Sequence, residues 1–142
     1  EISMDYGAVG VSLRGHPIEF LRQRLGAIGA VTCAKVRRSA EIPSGAWVRC
    51  AGIVLVRQRP RTAKGVLFMT IEDETDSANL IIRPKVYERH RRHARHAAVI
   101  LAEGKVERRG EVSHLLVRRL RSLDRWLAEQ EVAIGTRSRD FH

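Results

Sequence analysis

The chain has 142 residues, a length that corresponds to one domain with extensions. Hydrophobic residues make up 44% of it, which is enough for a buried core and excludes a chain that is disordered throughout. Lys and Arg together number 26 against 16 Asp and Glu, and the net charge of +10 favours a polyanionic partner, nucleic acid before an anionic membrane.

Cysteine content and hydropathy indicate the compartment. Cys33 and Cys50 are too few for a secreted disulfide scaffold and lack the spacing of a metal site, so a cytoplasmic location is expected. The sequence shows neither a signal peptide nor an apolar run of the ~18 residues that a membrane helix needs. Because the chain begins with Glu1 rather than Met, we expect it to be a segment of a longer protein.

Residues 1–44 predict a helical connector that leads from a preceding domain. Pro17 suits the first turn of a helix, and apolar residues then recur at spacings of three and four, at Ile18, Leu21, Leu25 and Ile28. The Pro-Ser-Gly turn at residues 43–45 marks the boundary with the next domain.

Residues 45–124 predict a barrel of five strands. The strands are expected at residues 47–57, 66–73, 78–83, 98–108 and 112–123, with a basic helix at 84–97. Gly52 and Gly104 would permit the sharp bends that a small closed barrel needs. Three strands, one helix and two strands form the order of an OB-fold, so we predict a mainly β protein, a five-stranded OB-fold Greek-key barrel with a helix between strands three and four.

The predicted barrel carries a basic ligand surface. OB-folds bind ligands on strands two and three and on the loops between strands one and two and between strands four and five. Those loops, residues 58–65 and 109–111, are both basic in this chain. The strongest candidates for nucleic-acid binding surround the first loop, at Arg57, Arg59, Arg61 and Lys64. The alternative is a flexible basic loop without a ligand.

Aromatic residues make up only 5% of the chain, which predicts weak and salt-dependent binding led by the phosphate backbone. Phe68 is the best candidate for base stacking, because strand alternation points it away from the core. Tyr87 is a weaker candidate, and Trp47, at the entrance of the barrel, is expected to serve packing. Four further residues would extend the basic path: Arg83, Lys85, Arg108 and Arg109. Alternation places Arg118 on the same face of its strand as Leu120, which makes Arg118 a weaker candidate for the basic path.

Two clusters could suggest a metal, and neither has the right pattern. The acidic residues 72–74 fit a turn and a solvated strand edge better than a cation site. His90, His93 and His96 step around a helix instead of converging, so an exposed face or phosphate contact is favoured over zinc. We therefore predict neither catalytic nor metal-binding residues. Residues 125–142 are expected to form a mobile tail, with Trp126 and Leu127 capping the barrel.

Several motifs resemble one family of polymerases. The stretches 51–60 (AGIVLVRQRP), 62–65 (TAKG), 68–75 (FMTIEDET) and 84–88 (PKVYE) are similar to the C-terminal OB domain of bacterial C-family DNA polymerases. The loop pattern VRQRP…AKG most resembles the error-prone paralogue of the replicative alpha subunit, which belongs to a damage-inducible mutagenesis cassette. Shorter matches lie at Asp5-Tyr6, Ser12-Leu13, His16-Pro17 and the closing residues 138–142 (SRDFH).

The resemblance implies that the longer protein is a DNA-directed DNA polymerase, a nucleotidyltransferase of damage repair and translesion synthesis in the bacterial cytoplasm. Its Mg²⁺ and palm carboxylates would lie N-terminal of this region, so no cofactor is expected in this segment. The implied partners are single-stranded DNA, other mutagenesis-cassette proteins and, through them, the sliding clamp, without a membrane.

Three functions stay open at this stage. The first is single-stranded template binding by an OB module. The second is a protein-interaction module that recruits mutagenesis partners, which exposed apolar groups at Trp126, Leu127, Val132 and Ile134 would favour. The third, an RNA-facing domain such as a tRNA anticodon reader, would call for more stacking aromatics than this chain has.

Overall fold

The structure, a computed structural model, describes the backbone of residues 15–140 and the side chains of residues 15–132. The strands in this part of the chain are β1 (Ala30–Val31), β2 (Trp47–Gln58), β3 (Leu67–Glu72), β4 (Ser77–Ile82), β5 (Val99–Arg109) and β6 (Val112–Ser122). The helices are α1 (Arg22–Ala27), α2 (Cys33–Arg38), α3 (Pro84–Arg89), α4 (Arg91–His96) and α5 (Asp124–Asp140). Short 3-10 turns form at Pro17–Leu21 and Arg61–Ala63.

Strands β2 to β6 close into a barrel. The sheet order is β1–β2–β3–β4–β6–β5, and an additional pairing of β2 with β5 completes the ring. Every end of these five strands lies within one residue of its predicted position, and the helical segment falls between β4 and β5. The predicted OB-fold is therefore confirmed. The single helix predicted at 84–97 is two short helices, because the backbone of His90 (φ −120°, ψ 30°) leaves the helical region.

Two glycines allow neighbouring strands to approach closely. A Cβ atom on Gly52 would lie 2.8 Å from the backbone nitrogen and the carbonyl oxygen of Glu72, closer than real side chains come. A Cβ atom on Gly104 would overlap the carbonyl oxygen of Leu116. Any larger residue would push β3 away from β2, or β6 away from β5, so these positions permit the curvature of the barrel.

The interior of the barrel is filled by alternate strand residues. In β3 the inward residues Leu67, Met69 and Ile71 are at most 3% exposed. They meet Leu80, Ile82, Ile100, Leu115 and Val117 from the other strands. Burying each large side chain stabilises the fold by about 1.5–3 kcal/mol, so hydrophobic burial is the main force that closes the barrel.

A second apolar cluster holds the N-terminal segment against the outside of the barrel. The predicted stripe is confirmed, since Ile18, Leu21 and Leu25 are fully buried. They pack on a patch formed by Ala51, Ile53, Val99, Leu101 and Leu123, with Ile28, Trp126 and Leu127 partly buried beside them. Trp126 and Leu127 thus cover the barrel as expected.

The connector and the barrel share a core. Cys33, Val36 and Ile42 belong to the same buried cluster as the strand residues, and β1 pairs with β2 in parallel. The domain boundary at residue 44 stays a prediction, but α2 packs as a part of the barrel and not as a separate unit.

The C-terminal segment differs from the sequence-based expectation. Residues 124–140 form the helix α5 instead of an irregular tail. Asp124 anchors its start, accepting hydrogen bonds from the backbone nitrogens of Ala98 (3.0 Å) and Val99 (2.7 Å). The family-like residues at 5, 6, 12, 13, 141 and 142 lie outside the described residues, as does the side chain of Ile134. None of the described helices has both the length and the hydrophobicity to cross a membrane.

Candidate nucleic-acid interface

A shallow groove of about 280 Å³ lies on the outer face of β3 and β4 and is bounded by β2 and β6. Every second residue of β3 is buried, so Phe68 faces outward, as predicted, and its side chain is 37% exposed. The strand register places Gln58 of β2 on one side of Phe68 and Ile81 of β4 on the other. The phenyl ring therefore lies within the groove, next to the base of the loop 58–65.

The groove is lined by both apolar and polar side chains. Val56 and Val112 are 43% and 62% exposed and add to the apolar surface around Phe68. Thr70 and Asn79 supply hydrogen-bonding groups and are themselves joined by a 3.2 Å hydrogen bond. None of the described lining residues is Asp, Glu, Lys or Arg. Such a surface suits nucleobases better than phosphates.

The polar residues of this groove were not identified from the sequence; they are Gln58, Thr70, Asn79, Ser113 and His114. The two-residue alternation that pointed Phe68 outward also applies to Asn79 on β4 and could have identified it. His114 depended on the pairing of β4 with β6, which no local pattern encodes.

The loop 58–65 presents two of its predicted cations to solvent and folds the third onto α3. Arg61 and Lys64 are exposed, and neither forms an ion pair with any side chain that the structure describes. The guanidinium of Arg59 lies over the ring of Tyr87, 4.2 Å from its centroid. Tyr87 is only 4% exposed, so its ring is closed to a nucleobase.

Arg57 has a structural role that the sequence did not indicate, and its contact with nucleic acid stays a prediction. Its guanidinium donates hydrogen bonds to the carbonyl oxygens of Ala94 (2.6 Å) and Ala97 (2.5 Å), at the end of α4. Burial lowers the pKa of Arg57, although the charge of Asp124 opposes that effect. Because the last carbonyls of a helix lack partners within the helix, Arg57 caps α4.

Arg108 also caps a helix, in contrast to its predicted role. Its guanidinium donates to the carbonyl oxygens of Val36 (2.8 Å), Ile42 (2.8 Å) and Ser39 (3.1 Å) and to the hydroxyl of Ser113 (2.7 Å). Longer bonds reach Lys35 and Arg37. The planar fork of arginine is used up by the end of α2 and the segment that follows it.

The adjacent Arg109 stays exposed at the turn between β5 and β6, where a phosphate could reach it. Arg83 and Lys85 are also exposed, but they line a different cleft, on the side of α3 near Trp47. The structure places Phe68 opposite Gln58, the first residue of the loop that carries Arg59, Arg61 and Lys64, and places Arg109 at the turn beside Val112.

Arg118 lies in that same cleft, because a bulge breaks the alternation assumed for β6. Glu103 pairs with Arg119 and the next residue, Gly104, pairs with Val117, which leaves Arg118 as an extra residue. Both arginines face solvent while Leu120 is buried, so the inference that Arg118 shares a face with Leu120 was wrong.

The acidic residues 72–74 form an internal anchor, not a solvated edge. Asp73 is 2% exposed and accepts hydrogen bonds from the backbone nitrogens of Cys33 (2.8 Å) and Thr75 (2.8 Å) and from Arg22 (3.0 Å). Burial alone would raise the pKa of Asp73, but hydrogen bonds from Thr75, Cys33 and Asp76 together hold it below its ordinary value. Arg22 also pairs with Glu74 at 2.8 Å, which ties α1 to the turn between β3 and β4.

The histidines do not converge either. Among the residues that the structure describes, no group of three His, Cys, Asp or Glu side chains is placed to hold a metal ion. Burial lowers the pKa of His90, and the neighbouring charges of Arg89, His93 and Arg119 lower it further. These effects favour the neutral form of His90.

Comparison with known proteins agrees with this architecture. A sequence profile of the family described as "OB-fold nucleic acid binding domain" matches residues 36–123. The chain belongs to this family of OB-fold nucleic-acid-binding domains. Among solved structures, it is similar to asparaginyl-tRNA synthetase from Pyrococcus horikoshii, with a TM-score of 0.54 and 24% identity over 66% of this chain and 23% of that one. That likeness supports the fold alone.

The relatives in sequence are error-prone DNA polymerases, as the resemblance predicted. The chain is 53% identical over 117 residues to the error-prone DNA polymerase of Rhodopseudomonas palustris, a match that covers 82% of the chain and 10% of the relative. It is 45% identical over 141 residues to error-prone DNA polymerase 1 of Agrobacterium fabrum, covering 99% of the chain and 12% of the relative. The chain thus spans about a tenth of the length of these curated relatives.

Proposed function

We propose that this domain binds single-stranded DNA and holds the template strand of an error-prone DNA polymerase in damage-induced mutagenesis and translesion synthesis. The observation that carries the proposal is the exposed ring of Phe68 in an uncharged groove, next to a loop that carries Arg59, Arg61 and Lys64. An exposed ring offers a stacking surface to a base, and flanking cations hold the phosphates on either side. The similarity to error-prone DNA polymerases supports DNA as the ligand.

In this arrangement the groove binds the bases of the strand and the loops bind its phosphates. Bases lie against Phe68 and the polar groups of Thr70 and Asn79, while phosphates contact the loop 58–65 and, on the other side, Arg109. The catalytic carboxylates and Mg²⁺ of the polymerase would belong to other parts of the longer protein. The cassette proteins and the sliding clamp are proposed as partners of that longer protein in the bacterial cytoplasm.

The salt dependence of binding follows from the number of phosphate contacts. Each contact with a single strand adds about 0.7 to the slope of log affinity against log salt. Four contacts, at Arg59, Arg61, Lys64 and Arg109, contribute about −2.8 to that slope. Between about 50 mM and about 200 mM salt the affinity should then fall roughly 50-fold.

The test is a fluorescence-anisotropy titration of the chain with a labelled single-stranded oligonucleotide at both salt concentrations. The triple variant Arg59→Ala/Arg61→Ala/Lys64→Ala should bind more weakly and should reduce the magnitude of the slope by about 2.1. The matched control Arg24→Ala/Arg37→Ala/Arg38→Ala removes the same charge from exposed sites on α1 and α2 and should change binding little. Phe68→Ala should weaken binding by at least about 5-fold, the effect of losing one stacked base.

Three outcomes would contradict the proposal. Equal losses in the two triple variants would mean that net charge and not the loop determines binding. An RNA of the same sequence that binds more tightly than the DNA would favour the RNA-facing alternative. Absence of binding even at low salt would favour the protein-interaction alternative, for which the described residues offer the exposed Val132 on α5 (68%), whereas Trp126 and Leu127 are packed on the barrel.

A further inference from the structure

A second cleft, larger than the groove on β3 and β4, separates α3 from β6. Its volume is about 650 Å³, and it lies between the start of β2, the start of α3 and the middle of β6. Val86, Leu116 and Val117, all less than 10% exposed, form its floor. It shares none of its described lining residues with the groove that contains Phe68. A ligand in one site therefore does not exclude a ligand in the other.

The rim of this cleft is strongly basic. Five cations surround it, Arg83, Lys85, Arg89, Arg118 and Arg119, and no acidic residue is among its described lining residues. Only Arg119 has a carboxylate partner in the described part of the chain, Glu103 at 4.0 Å, and it shares that partner with Arg49. Like charges gathered without counter-charges repel one another, and a polyanion with spaced charges relieves that repulsion.

Trp47 adds an aromatic surface at the edge of the cleft. Its side chain is 51% exposed, a large fraction for a residue that sequence reasoning assigned to packing. The indole N–H donates a 3.1 Å hydrogen bond to Oε2 of Glu103, the same oxygen that accepts a 3.1 Å hydrogen bond from Nε of Arg49. These hydrogen bonds hold the pKa of Glu103 below its ordinary value, so the carboxylate stays charged and fixes the edge of the ring. The ring is therefore presented in a set orientation.

We infer that this cleft is a second binding site for single-stranded nucleic acid, with phosphates on the five cations and a base stacked on Trp47. A phosphate alone would need the cations but not an exposed indole, and an apolar peptide would need the indole but not the cations. A single strand carries both groups at regular spacing, and stacking on an aromatic ring does not depend on the base sequence. The site would extend the path of a strand beyond the groove on β3 and β4.

The emission of Trp47 tests this site directly. The chain has two tryptophans, so the variant Trp126→Phe leaves Trp47 as the only indole. Addition of an unlabelled oligodeoxythymidine of about 16 nucleotides should quench its emission in a saturable and salt-dependent way. The quenching should persist when Phe68→Ala is added, because that residue belongs to the other site. The converse variant Trp47→Phe, which retains Trp126, should show little change.

The cations are tested by Lys85→Ala/Arg118→Ala in the same Trp126→Phe background. Removing two phosphate contacts should reduce the salt slope of the quenching by about 1.4. The control Arg37→Ala/Arg38→Ala removes equal charge from residues that pair with Asp76, and it should leave the slope unchanged.

Each of three results would overturn the inference. The first is unchanged Trp47 emission under conditions in which anisotropy reports bound DNA, which would leave the groove on β3 and β4 intact as the only site. The second is an equal salt slope in the two double variants. The third is equal or stronger quenching by a polyglutamate peptide, which would assign the cleft to an acidic protein segment. If Phe68→Ala leaves the anisotropy titration unchanged, by contrast, that result contradicts only the proposed function of the groove and not the second site.

Discussion

Replacing Arg108 with alanine should destabilise the barrel through the end of α2. The side chain donates six hydrogen bonds, to five backbone carbonyls and the hydroxyl of Ser113. The hydrogen bonds to the carbonyls of Lys35 and Arg37 are exposed to solvent, so water can replace the guanidinium at these two carbonyls in the variant. The carbonyls of Val36, Ser39 and Ile42 are partly buried, and each lost bond costs about 1 kcal/mol. We expect a loss of about 3 kcal/mol.

A loss of that size should be visible in thermal unfolding followed by circular dichroism. For a domain of this length it corresponds to a decrease in Tm of roughly 10 °C. Arg109→Ala is the matched control, because it removes the same charge from the neighbouring exposed residue and should change stability by less than about 0.5 kcal/mol. Arg108→Lys should recover only part of the loss, since an ammonium group cannot span the same carbonyls. A Tm of Arg108→Ala equal to that of Arg109→Ala would refute the assignment of Arg108 as a helix cap.

Three further predictions concern buried groups. Because the pKa of Asp73 is depressed in the folded state, its contribution to stability is present above the unfolded pKa of about 3.9 and is lost as the pH falls through the folded pKa. In urea unfolding, Asp73→Asn should therefore differ from wild type near neutral pH, and the difference should shrink as the pH falls below about 3.9. A difference independent of pH would contradict this. Hydrogen bonding to Cys50 and burial raise the pKa of the Cys33 thiol, and both cysteines are fully buried. A thiol reagent should therefore label neither cysteine in the native chain and both after denaturation. Rapid labelling of the native chain would be inconsistent with the structure. Gly104→Ala should lower the free energy of unfolding by at least about 2 kcal/mol, because the added Cβ meets the backbone of β6. The control Gly26→Ala, on an open helix face, should be neutral or stabilising. Similar free energies of unfolding for the two variants would rule out the close approach of β5 and β6 at Gly104.

Much of the fold was predictable because its signals are local. Runs of β-branched residues separated by Gly, Pro and acidic turns located β2 to β6, and the spacing of Ile18, Leu21 and Leu25 identified the segment that packs on the barrel. Alternation along β3 was enough to point Phe68 outward. The order of strands and helix then selected the OB-fold, since few topologies accommodate that order.

The contacts of the individual arginines were not predictable from the sequence. A guanidinium lies at the end of a long side chain, and the groups that it can bond come near it only in the folded chain. Arg57 and Arg59 are two residues apart, yet Arg57 caps α4 and Arg59 covers Tyr87. Arg108 and Arg109 are adjacent, and only Arg108 turns inward to α2. Net charge and loop position indicated a polyanionic ligand, but they could not distinguish a phosphate contact from a helix cap.

The amino-acid sequence by itself determined the barrel, its basic character and the outward ring of Phe68, because composition and two-residue alternation need no partner strand to be read. Only the tertiary structure decided where the cations act. The bulge that exposes both Arg118 and Arg119 arises from the pairing of β5 with β6, and the ring of Trp47 on β2 is held by a hydrogen bond to Glu103 on the neighbouring strand β5. Each of these contacts joins residues that are far apart in the chain, so it forms, and contributes to stability, only when the barrel has closed.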